Sequence, residues 1–172
     1  MAVLKQNKKK PVKRREKNEV VISQAKTSDI PSMVRLLSIL FTIENDFSPN
    51  MKKQEIGLKL MLSDKKNRSV MVAKINEKVI GMATAQIVVS TAEGGLSVWV
   101  EDVIVDREHR RCNVGSMLLY SIEQWARLAG AQRMQLITES SNKHAIAFYD
   151  YNSWNQTNLI CLRKIIPEAS LS

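Results

Sequence analysis

VEDVIVDREHRRCNVGSMLL, residues 100–119, decides how this chain is read. Up to Val105 the stretch is short and rich in β-branched residues, which fits a buried strand. From Val114 onward, Val114, Met117, Leu118 and Ile122 recur at helical spacing. Between them lies the basic turn Arg110-Arg111-Cys112-Asn113-Val114-Gly115, with residues that tolerate unusual backbone angles. A strand that re-enters as a helix through such a turn presents free N–H groups at the positive end of the helix dipole. That is an anion site, and phosphate is its usual guest. The turn is neither a dinucleotide GxGxxG nor a P-loop, since Gly-Lys-Ser/Thr is missing.

The elements on either side complete a mixed α+β pattern. Glu19–Ala25 reads as a first strand. Ser28 or Asp29 can cap a helix with Pro31 in its first turn and an apolar face from Ile30 to Phe41. After a break at Asn45–Asn50 a second helix carries Ile56, Leu60 and Met61 and ends at the lysine-rich turn Ser63–Arg68. Ser69–Ile75 and Val79–Val89 form a hairpin through Asn76-Glu77-Lys78, and Leu96–Val105 adds a third antiparallel strand. The helix after the basic turn stops near Gly130. Met134–Thr138 then reads as a strand, Asn142 to about Asn152 as a helix, and Asn158–Ile165 as a final strand.

Of 172 residues, 44% are apolar, enough for the core of one domain. The net charge of +9 is concentrated in the first seventeen residues, where eight Lys and Arg face one acid, Glu16. Residues 1–18 therefore read as a basic, disordered tail, and residues 19–172 as a single domain of nearly balanced charge. Such a tail can solubilise the chain, or bind nucleic acid, anionic lipid or an acidic partner, although no aromatic residue interleaves its charges as a base-stacking platform. Cys112 and Cys161 form neither a disulfide framework nor a metal set, and two histidines, His109 and His144, are too few for zinc. The expectation is a cytoplasmic, metal-free protein without a membrane span.

The turn Arg110…Gly115 resembles the (Gln/Arg)-x-x-Gly-x-Gly/Ala signature of the GNAT family of N-acetyltransferases, with Asn113 where glycine is usual. Asn142-x-x-Ala145-x-x-Phe148-Tyr149, followed by Ser153-Trp154, resembles that family's second motif, and the element order from about Val20 to Ile165 is similar to the GNAT fold. The resemblance implies an acetyltransferase that takes acetyl-coenzyme A and a small-molecule or peptide amine, by direct attack in a ternary complex. It assigns the pyrophosphate to Arg110, Arg111, Cys112, Asn113, Val114, Gly115 and Ser116. It assigns the pantetheine arm to Asn142 and to the backbone of Val103, Ile104 and Val105 on a splayed strand. It makes Tyr149 the acid that protonates the leaving thiolate, Glu101 (with Asp102 beside it) the base or water-positioning group, and Glu44 and Asp46 acceptor contacts. A homodimer is also frequent in the family.

The residues leave competing readings open. Glu101 and Asp102 can instead pair with the arginines of the turn, Glu44 and Asp46 can be a solvated helix end, and Tyr149 can be a core tyrosine. A non-catalytic coenzyme A binder, or a nucleic-acid adaptor working through the tail, is the alternative function.

Overall fold

The computed structural model describes residues 19–44 and 46–167. The tail assigned to residues 1–18 lies outside the described residues. Five strands form one sheet in sequence order: β1 (Val21–Gln24), β2 (Arg68–Ile75), β3 (Lys78–Ser90), β4 (Gly95–Val105) and β5 (Ala131–Gln135). The first four pair antiparallel, and β5 joins β4 in parallel. The helices are α1 (Ile30–Ile43), α2 (Met51–Ser63), α3 (Val114–Leu128) and α4 (Lys143–Tyr151).

The alternation of side chains along β2 explains the layering. Val70 and Val72 point into a core with Met33, Leu36 and Leu37 of α1 and Leu58 of α2. Met71 and Ala73 point the other way, into a core with Leu118, Leu119 and Ile122 of α3. A strand covered on both faces reads as a continuous apolar run, which is how Ser69–Ile75 looks in sequence.

Three expectations change. The second helix turns Gln54 and Leu58 inward, while Ile56 and Leu60 are exposed. The fifth strand lies three residues earlier than its apolar run suggests, because Leu96–Trp99 of β4 dictates where it pairs. The final strand over Asn158–Ile165 is not formed: those residues carry no ladder and are exposed. Alternation supplies the propensity for a strand, but a strand exists only with a hydrogen-bonding neighbour.

One buried ion pair fastens the first helix to the sheet. Asp29, just before α1, places its Oδ1 2.8 Å from Nζ of Lys74 on β2, and both side chains are nearly inaccessible. Asp29 Oδ2 accepts the Lys26 N–H at 2.9 Å. Asp29 thus serves the turn before the helix rather than capping the helix itself.

Candidate active site

The basic turn has the backbone that an anion cradle requires. Arg111 and Asn113 have φ of 60° and 63°, in the left-handed region, and Asn113 leads directly into α3. Asparagine enters that region at small cost, so its substitution for glycine keeps the turn's shape. The amides of Val114, Gly115 and Ser116 open the helix, where no preceding turn can satisfy them. Arg110 is folded back: its Nε donates to the Val105 carbonyl at 2.9 Å, tying the turn to the end of β4. Arg111 and Cys112 are exposed.

β4 pairs with β5 only over Leu96–Trp99, so beyond Trp99 the two strands diverge. Val103 and Val105, on the diverging part, are half-buried, and Ile104 is buried. On the other side of β4 the register slips: Glu101 faces Thr84 and Ile104 faces Met82, leaving Asp102 and Val103 opposite Ala83 alone. This is a β-bulge, and Asp102 adopts φ of 52° within it. The bulge re-aims Asp102, whose Oδ2 accepts the Thr84 hydroxyl at 2.9 Å. Burial pushes the carboxyl up to about 6; the Thr84 bond opposes this and the Glu101 charge adds to it. Glu101 itself is exposed and accepts only a long bond, 3.4 Å, from Gln86 Nε2.

Asn142 caps α4, its Oδ1 accepting the Ala145 N–H at 3.0 Å. Its amide nitrogen, which only donates, takes no part in that bond, and Oδ1 keeps a second lone pair. Near the other end, the Tyr149 ring lies 5.3 Å from the Phe148 ring and 5.9 Å from Trp154, centroid to centroid. The chain reverses at Ser153, with φ of 65°, and the Trp154 N–H donates to the Tyr149 carbonyl at 3.0 Å. Burial and then the Glu44 charge push the phenol up to about 12, so it stays protonated at neutral pH.

Glu44, following α1, links these groups. Burial raises its carboxyl above the usual range, and the charges of Asp102, Glu139 and Asp46 add, against Arg163. It is half-buried. Asp46 is exposed and meets Arg163 at 3.7 Å. A cleft of about 520 Å³ between α1, α2 and the sheet is lined by Phe41, Phe47, Thr84, Glu101 and Asp102 among others.

The sequence model of the acetyltransferase (GNAT) family matches residues 32–151, a span holding the turn, the bulge and the Tyr149 helix. The chain belongs to the GNAT acetyltransferase family. The GNAT fold is equally clear in solved structures. A protein from Clostridium difficile 630, described as a possible acetyltransferase, superposes with a TM-score of 0.75 at 20% identity, over 86% of this chain and 98% of that one. Glucosamine-6-phosphate N-acetyltransferase from Arabidopsis thaliana gives 0.69 at 17% identity, over 86% and 99%. An aminoglycoside acetyltransferase from an uncultured soil metagenomic sample gives 0.70 at 18% identity, over 86% and 97%. Among curated proteins none matches by sequence.

Within this GNAT chain, sequence reasoning passed over Thr84 and Glu139 and placed its weight on Glu101 rather than on Asp102. One signal was present: aspartate is depleted in strands, and an acid inside Val-Glu-Asp-Val-Ile-Val asks for a reason. Gly115 also has a packing reason. A Cβ there would stand 2.9 Å from Cζ of Phe148, so the missing side chain lets α4 lean on the first turn of α3. Gly115→Val is expected to displace Phe148 and lower stability by about 1–3 kcal/mol, the usual range for overpacking, in a thermal melt. An unchanged melting temperature would show that the ring moves aside freely.

Proposed function

We propose that this chain transfers the acetyl group of acetyl-coenzyme A to a primary amine by direct attack in a ternary complex. The observation that carries the reading is the division of labour around Glu44. Tyr149 is held protonated, while Asp102, pushed up to about 6, is ionised at neutral pH and still basic enough to take a proton. The amides opening α3 and the charge of Arg111 suit the pyrophosphate, and the unpaired edge of β4 beyond Trp99 suits an amide-bearing arm. Bound acetyl-coenzyme A supplies an activated thioester.

An amine arrives almost wholly as its ammonium form, because its pKa is near that of lysine, about 10.4. Asp102 removes that proton directly or through a water, in the role the sequence assigned to Glu101. Tyr149 gives its phenolic proton to the departing sulfur, whose basicity the same apolar surroundings raise. Around Glu44 the acids Asp102, Glu139 and Asp46 gather negative charge, against Arg163, that suits a cationic acceptor, while the cleft itself is lined by Lys53 and Arg68 as well as Glu101 and Asp102. The exposed Cys112 sits in the turn, and direct transfer needs no acyl-cysteine.

A thermal shift with acetyl-coenzyme A is the first test. Ligand at about 100 times Kd is expected to add roughly 2.7 kcal/mol, which is several degrees for a domain of this size. Tyr149→Phe should keep that shift while slowing transfer to an amine panel by about 10²-fold or more. Normal turnover in the Phe variant would remove Tyr149 from its role. A shift without transfer to any amine would favour a coenzyme A-binding protein instead. Deleting residues 1–18 should leave transfer intact and abolish any salt-dependent binding to nucleic acid.

A further inference from the structure

The floor of the cleft is a row of polar side chains laid across three strands. Arg68 opens β2 and pairs with Gln86 on β3, while Thr84, two residues along β3, pairs with Glu101 on β4. All four line the cleft, together with Asp102. Alternation keeps Gln86 on the same face as Thr84, and Arg68 on the same face as Val70, which points at α1 and α2. The row changes sign from end to end, with a guanidinium on β2 and two carboxylates on β4. Two strand spacings across and two residues along put about 12 Å between the backbones of Arg68 and Glu101.

The cationic end has donors to spare. Arg68 Nη1 donates to the Leu60 carbonyl at 2.6 Å, which holds the guanidinium beside the last turn of α2. That bond uses only one of its N–H groups, and no carboxylate stands within ion-pair distance of Arg68 among the described residues. Lys53, on the α2 wall, adds a second positive charge. Next to it Gln54 is 6% exposed. One polar atom of its amide meets Ser38 Oγ at 3.0 Å, and the other has no partner among the described residues. Whichever way that amide is turned, a buried polar atom in the cleft wall is left for a polar ligand to complete.

We infer that the acceptor is a zwitterion: a primary amine seated at Glu101 and Asp102 whose own anionic group, a carboxylate or a phosphate monoester, is held by Arg68. The inference rests on the acetyl-transfer reading for the amine end and adds the recognition of the far end. A planar guanidinium takes either anion through two parallel N–H bonds. Because the two poles stand on different strands, the anionic group lies several bonds from the nitrogen. An α-amino acid, with both groups on one carbon, does not span them. A diamine is disfavoured as well, since it brings its second ammonium against Arg68.

The test compares amines of one chain length on the full chain. The probes are ω-aminohexanoate, aminohexyl phosphate, hexylamine and hexanediamine, with norleucine as the isomer of the first that carries both groups on one carbon. Binding is measured by calorimetry with and without coenzyme A, and transfer by release of thiol from acetyl-coenzyme A. One of the two anionic probes is expected to bind at least about tenfold more tightly than hexylamine, hexanediamine or norleucine, and to lead them in kcat/KM by the same factor. Which of the two leads tells carboxylate from phosphate. Arg68→Gln should bring that ratio to near one. Gln86→Glu keeps Arg68 but sets a carboxylate opposite it, and should do the same, so a fold lost in one variant leaves the other to decide. A preference that survives both substitutions, norleucine serving as well as the anionic probes, or no binding of either anionic probe would overturn the zwitterion. Equal transfer to every amine would overturn it too, and would leave the acetyl-transfer reading standing. Tight binding of an anionic probe that Arg68→Gln abolishes, with no transfer to any amine, would support the zwitterion and overturn acetyl transfer instead.

Discussion

Asp102→Asn is expected to slow acetyl transfer by about 10²–10⁴-fold, the span of one general base, while making the protein more stable at neutral pH. The two effects have one origin. Burial raises the carboxyl from 3.8 to about 6, so the folded state binds its proton more tightly than the unfolded chain does. Stability therefore falls as pH rises between those values, and the full penalty, about 3 kcal/mol at 1.36 kcal/mol per unit, is present above pH 6. Asparagine removes the charge but can still accept the Thr84 hydroxyl. The gain should be visible in melts at pH 7 and should vanish below about pH 4, where the native carboxyl is neutral in both states. In wild type, kcat/KM should fall on the acid side of about pH 6, a limb that the Asn variant lacks. Full activity in Asp102→Asn would move the base elsewhere, with Glu101→Gln the next variant. A loss of stability would mean that the ionised carboxylate is the better partner in the bulge.

Asp29→Ala has the largest expected effect on folding. Asp29 and Lys74 are 6% and 9% exposed, and their charged atoms stand 2.8 Å apart. Removing the carboxylate leaves an ammonium group uncompensated in the interior and the Lys26 amide without its acceptor. Breaking such a pair costs about 3–5 kcal/mol. At this size that is a drop of about 10 °C in melting temperature. The cost comes from the stranded charge more than from the lost attraction, so Asp29→Asn/Lys74→Met should recover most of it. A loss under about 1 kcal/mol in Asp29→Ala would show that water reaches Lys74.

Pattern alone carried the reading through most of the fold. Runs buried on both faces, such as Ser69–Ile75, announce themselves, and so does the passage from Val105 through Asn113 into a helix. Where a segment's fate depends on another segment, the pattern misleads. Residues 158–165 are as apolar as a strand, yet they form no ladder. Ala131-Gln132-Arg133 looks too polar for a strand, yet pairs because Leu96–Trp99 waits beside it. The site divides in the same way. Tyr149, Asn113 and Gly115 stand at readable spacings. The character of Asp102 rests on a register slip against Ala83, and that of Glu44 on acids from positions 46, 102 and 139. Neither can be computed from neighbours in sequence.

The bare α-carbon of Gly115 ties the order of events to the packing. α4 has no buried residue of its own, and its Phe148 ring rests where a side chain on α3 would be. The helix that carries Tyr149 is thus propped against the turn proposed for the pyrophosphate. Whatever steadies that turn also stiffens α4, so the first ligand to arrive prepares the ground for the second. If acetyl-coenzyme A sits on that turn as proposed, the packing predicts that nucleotide adds before amine. Amide hydrogen exchange across residues 143–151 should slow with acetyl-coenzyme A alone and not with amine alone, and an equal response to either would mean random order.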